Sequence, residues 1–156
     1  MRESVYLLPM TAQRYHAYFR EYQNDPDLCI DPADFVPYVY DPETVDRYIR
    51  RQADLKRKCF AIMYGEEMAG ELILKALEPG RCATLSISMK GPEYKDRGIG
   101  TQAEKLAIAY AFGELEVSVL YADAVLTNAR SRHVLEKVGF VETGRDGTFV
   151  YYCMRK

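Results

Sequence analysis

The sequence predicts an α/β fold: one domain in which about seven strands form a central sheet flanked by four helices. Three observations carry that expectation. Three strand-like segments follow one another near the middle of the chain and read as an antiparallel meander. Helical periodicities precede and follow that meander and alternate with further strands. At 156 residues with 48% apolar content, the chain can bury one sizeable core but not two ordinary ones, so residues 1–156 form a single domain.

The elements follow in order. Residues 5–8 are a short apolar run and form a first strand. Thr11 then caps a helix on which Tyr15, Tyr18, Phe19 and Tyr22 recur at helical spacing. After a proline-rich loop, Asp41-Pro42 opens a second helix, with an acid at the cap and proline in the first helical position. Val45, Tyr48, Ile49 and Leu55 give that helix one apolar face. The meander strands are 59–64, 68–75 and 83–89, the first two joined by a Gly65-Glu66-Glu67 turn. Beyond the loop 90–97, Ala103, Leu106, Ala107, Tyr110 and Ala111 mark a third helix that ends near Gly113. A strand at 119–126 and a helix at about 129–138 with Gly139 as its stop come next. A hairpin of 140–143 with 148–154 across Asp146-Gly147 completes the domain.

Composition narrows the function. With 21 basic and 23 acidic residues and a net charge of -2, the chain lacks a uniformly basic footprint for nucleic acid. No apolar run suffices for a membrane span, and residues 1–9 do not read as a signal peptide, so the expectation is a soluble, cytoplasmic protein. Cys29, Cys59, Cys82 and Cys153 lie far apart without a CxxC pair and read as buried free thiols. His16 and His133 have no partner at metal-ligand spacing, so no metal is expected and both read as surface or packing residues.

The chemistry enters at Gly98-Ile99-Gly100-Thr101, which opens a helix directly after a strand and loop, with Lys95 and Arg97 beside it. Unpaired N–H groups at a helix start and the positive end of the macrodipole make an anion site there. Glycines let a bulky phosphate approach the backbone without an intervening Cβ. Such glycines also serve turns for conformational reasons alone. The same residues fit Gly-x-Gly-x-x-Ala of dinucleotide-binding dehydrogenases, with Asp123 about twenty residues on. That rival is rejected because a charged loop separates Met89 from Gly98 and an antiparallel meander precedes it. A Walker loop fails for want of Gly-Lys-Ser/Thr.

The string Lys95-Asp96-Arg97-Gly98-Ile99-Gly100 resembles the Gln/Arg-x-x-Gly-x-Gly/Ala motif of the GNAT superfamily of N-acetyltransferases. Downstream, the run from Ala124 through Asn128 and Ser131 to Gly139-Phe140 is similar to that superfamily's second signature: a strand, an Asn, a helix and Gly-Phe. The Asn-x-x-Ser form most resembles the branch containing ribosomal-protein N-terminal acetyltransferases and many small-molecule acetyltransferases. The resemblance covers Leu72 to the C-terminus well and the first 60 residues in outline.

The resemblance implies a central mixed, twisted sheet, with acetyl-coenzyme A entering where two neighbouring parallel strands splay apart. It implies that Ile87, Ser88 and Met89 line the pantetheine arm, the Met89 N–H polarising the thioester carbonyl. Losing an oxyanion donor of that kind costs about 3 kcal/mol. Lys95, Arg97, Gly98, Ile99, Gly100 and Thr101 would hold the pyrophosphate, with Asn128 and Ser131 near the pantetheine and sulfur. Asn128 also reads as a helix cap, and both roles can coexist. Many members place a tyrosine seven residues after the Asn to protonate the leaving thiolate; here that position is Leu135 and Ser131 is the nearest substitute. The missing tyrosine leaves open a catalytically silent acyl-CoA-binding sensor.

The acceptor side is read from charge and amine chemistry. An α-amine loses its proton at neutral pH for about 1.4 kcal/mol, a lysine amine for nearly 5, roughly. A lysine-like acceptor needs a placed carboxylate, and Glu71 is the candidate, its alternative being an outward-facing strand acid. Residues 24–46 carry seven acids and no Lys or Arg. Asp31 and Asp34, with Asp25 and Asp27 before them, alternate with Phe35, Tyr38 and Tyr40 and suit a cationic amine; a solvated loop is the alternative. The partner is thus a small-molecule amine or a peptide N-terminus, and a homodimer is compatible with the sequence.

Overall fold

The computed structural model describes residues 4–26 and 29–156; the first three residues and Asp27 with Leu28 lie outside the described residues. The chain runs β1 (Val5–Pro9), α1 (Ala12–Glu21), α2 (Pro42–Asp54), β2 (Lys58–Tyr64), β3 (Glu67–Glu78), β4 (Cys82–Met89), α3 (Ile99–Gly113), β5 (Val119–Val125), α4 (Ala129–Val138), β6 (Val141–Arg145) and β7 (Phe149–Arg155). One seven-stranded sheet has the order β1-β2-β3-β4-β5-β7-β6. The meander β1 to β4 is antiparallel, β4 and β5 are parallel, and β5, β7 and β6 are antiparallel again.

Local chemistry sets the boundaries. Thr11 accepts a hydrogen bond from the Arg14 N–H, and so caps α1. Asp41 stands before Pro42 at the start of α2 and accepts from the Thr44 hydroxyl at 2.7 Å. Gly139 takes φ +114 after α4, and the N–H groups of Gly139 and Phe140 close back onto Glu136 and Leu135. That is a Schellman closure. It explains why β6 begins at Val141 and not at residue 140: Phe140 finishes the helix and is buried beneath it. β3 runs three residues past its expected end, bulging between Lys75 and Glu78 where Ala76 adopts φ +49.

The two faces of the sheet have different coats. Leu72, Leu74, Leu85, Leu120 and Val150 point to the face covered by α3 and α4, where they meet Ile99 and the alanines Ala103, Ala107 and Ala111. The small side chains of α3 let it lie close to the sheet, and each large aliphatic chain so buried is worth about 1.5–3 kcal/mol. On the other face α1 and α2 cover β2 to β4 with an aromatic cluster in which Tyr15, Phe19, Tyr38 and Tyr48 meet ring to ring. Tyr18 reaches the sheet itself, its hydroxyl 3.2 Å from the Ser88 Oγ.

One backbone contact sets the spacing of β3 and β4. Gly70 pairs with Met89, and a Cβ at Gly70 would lie 2.5 Å from the Ser88 carbonyl oxygen. No side chain fits there without backbone movement.

Candidate active site

β4 and β5 part company halfway along. They pair from Cys82 with Val119 to Leu85 with Ala122 and no further. Beyond that point β4 stays paired to β3 while β5 stays paired to β7. The Lys90 N–H donates to the Ala69 carbonyl of β3 at 2.7 Å. Because amide direction alternates along a strand, the backbone groups of Met89 and Ile87 face the opposite edge, into the gap.

The loop after β4 delivers the chain to the mouth of that gap. Asp96 and Gly98 adopt φ +59 and +75, so the backbone turns sharply into α3, and Gly98 takes the cap position without a side chain. The first helical bond runs from the Gln102 N–H to the Gly98 carbonyl. The amides of Ile99, Gly100 and Thr101 therefore have no carbonyl one turn back to pair with, and they sit at the positive end of the α3 dipole. The loop is tied down from behind: Lys90 is buried, its Nζ 2.8 Å from the Glu21 carboxylate and 5.4 Å from the Tyr94 ring centre.

A cavity of about 360 Å3 occupies this corner. Of the eleven residues expected to hold the coenzyme, ten line it: Ile87, Ser88 and Met89 from β4, Lys95, Gly98, Ile99, Gly100 and Thr101 at the turn, and Asn128 and Ser131 from α4. Arg97 is exposed and is not among the lining residues. Lys95 makes an ion pair with Asp25, which lines the same cavity. Asn128 does cap α4, its Oδ1 accepting from the Ser131 N–H at 3.1 Å. The cap and the cavity wall are the same residue.

A second, smaller cavity of about 150 Å3 continues through the sheet between β4 and β5. Leu85, Ala122 and Leu135 bound it on the helix face, and Ser86, Asp123 and Phe149 on the other. Ile87, Glu104, Asn128 and Ser131 line both cavities, and so mark where one passes into the other.

The remaining expected residues lie elsewhere. Glu71 is on β3 facing α1 and α2, lines neither cavity, and is buried, so it is not an outward-facing strand acid. Tyr48 donates to its Oε1 at 2.5 Å. Burial pushes the Glu71 carboxyl above the usual range, against the lowering pull of that hydrogen bond. Asp31 caps a short 3₁₀ turn at Pro32–Asp34, accepting from the Ala33 N–H at 2.9 Å, and Asp34 is exposed. Tyr38 packs on Phe19 and Tyr22, with Phe35 half-buried nearby in sequence. None of Asp31, Asp34, Phe35 and Tyr38 lines either cavity. His16 is a packing residue, its ring nitrogens 2.7 Å from the Tyr40 hydroxyl and 2.8 Å from Asp46. The four cysteines are free and only partly buried.

Sequence reasoning missed one acid and the part of α4 beyond Asn128 and Ser131. Arg130, Val134 and Lys137 form the face of α4 that lines the larger cavity, with His133 beside them. Their spacing of four and then three is a helical stripe, a signal present in the sequence. Glu104 was missed because it stands beside Lys105 and reads as surface.

A parallel pair that opens mid-strand, beside an amide-lined helix start, defines the class to which this fold and cleft belong. A family model described as "Acetyltransferase (GNAT) domain" matches residues 4–141, and the chain belongs to that family. It is 32% identical over 115 residues, 72% of this chain, to a Bacillus subtilis (strain 168) protein provisionally named ribosomal N-acetyltransferase YdaF. It is 31% identical over 109 residues, 69% of this chain, to the spermidine N(1)-acetyltransferase of Escherichia coli (strain K12). The matches span 62% and 58% of those two relatives' lengths. Among solved structures, the aminoglycoside acetyltransferase AAC(6')-Ib in complex with coenzyme A superposes with a TM-score of 0.80 at 16% identity, covering 98% of this chain and 95% of that one. The Vibrio cholerae spermidine N-acetyltransferase in complex with CoA and spermine gives 0.75 at 16% identity, covering 97% and 95%. These two show a common fold.

Proposed function

We propose that the chain moves an acetyl group from acetyl-CoA to a primary amine of a small molecule or a peptide N-terminus, by direct attack in a ternary complex. The observation that carries this reading is one cavity holding both the splayed edge of β4 and the amide-rich start of α3. The residues present suit the coenzyme. A diphosphate needs N–H donors and positive charge, which Ile99, Gly100 and Thr101 and the nearby Lys95, Arg130 and Lys137 offer. An amide-bearing arm needs a strand edge, which Ile87 and Met89 offer.

Acetyl-CoA, when bound, supplies an acetyl thioester whose leaving thiol has a pKa of about 8.5. The Met89 N–H is the donor for the thioester carbonyl, an oxyanion role. The Ser131 Oγ, at the junction of the two cavities, holds a proton for the departing sulfur. Glu71, which does not line the cavity itself, takes the proton of a lysine-like acceptor through a cavity-lining neighbour. It pairs across the sheet with Ser88, and its burial raises the carboxyl toward the range in which a base works best. The exposed acids Asp31 and Asp34, with Phe35 and Tyr38, draw a cationic amine to that face of the domain. The names of the relatives point to the same class, since spermidine and aminoglycosides are cationic amines.

The experiment is an amine panel, with peptide N-termini, polyamines and aminoglycosides offered with acetyl-CoA and thiol release followed. Acceptor-dependent release is expected with at least one class. Coenzyme binding without release on any amine would overturn transfer and leave a silent sensor.

A further inference from the structure

The side chain that the reading above does not use is Glu104. It is 1% exposed, its Oε2 makes no hydrogen bond within the described residues, and it lines both cavities at their junction. An unpartnered carboxyl oxygen in such a place costs stability, and a fold retains it without loss only where something else satisfies it. Position 104 belongs to the buried stripe of α3, one turn beyond Gly100 and in line with Ala107 and Ala111. An apolar residue would pack there at no desolvation cost.

We propose that Glu104 is a coenzyme-binding residue that hydrogen-bonds the amide-bearing pantetheine arm where it passes from the larger cavity into the gap between β4 and β5. This rests on the acetyl-CoA reading and deepens it. Burial pushes the Glu104 carboxyl up to about 8, so at neutral pH it is mostly protonated and presents one O–H donor and one carbonyl acceptor. That pair complements an amide, which has one acceptor and one donor of its own. Lys75 faces the smaller cavity from β3, and Asp123 faces it from β5. Arg130, His133 and Lys137 of α4 line the larger one, and Asp25, Lys95 and Asp96 reach it from the loops. Burial, and no one of these charges, is the cause of the shift.

The test uses a thioether of coenzyme A, which has no titrating thiol, bound calorimetrically to the intact chain and to E104Q and E104L, with melting of each free protein. The wild type is expected to lose about tenfold in affinity between about pH 7 and pH 9 as the carboxyl ionises. E104Q should hold the neutral-pH affinity across that range. E104L should bind about tenfold more weakly at neutral pH while its free form melts higher than the wild type. E104L binding as tightly as the wild type, or losing melting temperature together with affinity, would overturn the proposal, and so would a pH profile of E104Q that follows the wild type. A wild type that binds no coenzyme would remove the acetyl-CoA reading itself, an outcome distinct from all of these.

Discussion

The hydroxyl of Tyr48 on α2 lies 2.5 Å from Oε1 of Glu71 on β3, so one contact between the aromatic cluster and the sheet is made by a buried carboxyl and its donor. Glu71 Oε2 makes no hydrogen bond among the described residues. Tyr48→Phe removes that donor and leaves the Tyr15 hydroxyl as the carboxyl's remaining hydrogen-bonding neighbour. The variant is expected to lose about 1–3 kcal/mol of stability, read from the urea midpoint at unchanged slope. A midpoint equal to that of the parent would show that the bond contributes nothing.

Two buried acids make folding depend on pH above the ordinary carboxylate range. Glu71 is raised from 4.5, and Glu104 is raised to about 8. A carboxyl whose folded pKa exceeds its unfolded value binds a proton in the native state that the unfolded chain has released. Its favourable contribution is complete below the unfolded value and is lost as pH rises toward the folded one. Stability should therefore fall from about pH 5 to about pH 8, and E104Q should flatten that slope. Melting temperatures across that range, compared between the two proteins, decide the matter.

Gly100→Glu is expected to abolish coenzyme binding and leave the fold intact. A Cβ at Gly100 would meet only Ile87 Cδ1, at 3.9 Å, an ordinary contact. The carboxylate would then stand among the amides that a diphosphate needs. Gly98 behaves differently, because its φ of +75 favours glycine, and Gly98→Ala should cost about 1 kcal/mol of stability. Calorimetry with coenzyme A and thermal melting separate the two effects.

Ser131→Ala should lower kcat more than it raises KM, since the hydroxyl is assigned to the leaving sulfur and not to the grip on the coenzyme. Asn128→Ala removes both the α4 cap and a cavity wall, so it should lose about 1 kcal/mol of stability together with coenzyme affinity. Steady-state kinetics of the first and melting plus binding of the second check these. Full turnover in Ser131→Ala would take that serine out of the mechanism.

Sequence pattern carried most of the architecture because each element has its own chemistry. Thr11 caps, Gly139 stops, and the alanines of α3 mark the face that lies on the sheet. Boundaries slipped where tertiary contacts decide them, as at Phe140, which a strand pattern claims and the helix closure takes. The corner proposed for the diphosphate was legible because it is built of backbone exposed by glycine, and glycines are visible in a sequence. Glu104 was not, since a charged letter next to Lys105 looks solvated until the helix is docked; only the stripe Gly100, Glu104, Ala107, Ala111 gives it away. The acceptor side was least legible. Asp31 also caps a turn and Tyr38 also joins a ring cluster, uses that sequence alone does not distinguish from the ligand contact proposed for them.

Gly70 stands on the strand behind β4, one ladder away from the gap, with no room for even a methyl group against the Ser88 carbonyl. Adding that methyl would push β4 sideways, and β4 is the wall proposed for the thioester. The aperture proposed for an acyl donor is thus gauged by an absent side chain one strand away, and tolerance for bulkier acyl groups is open to tuning from that neighbouring strand.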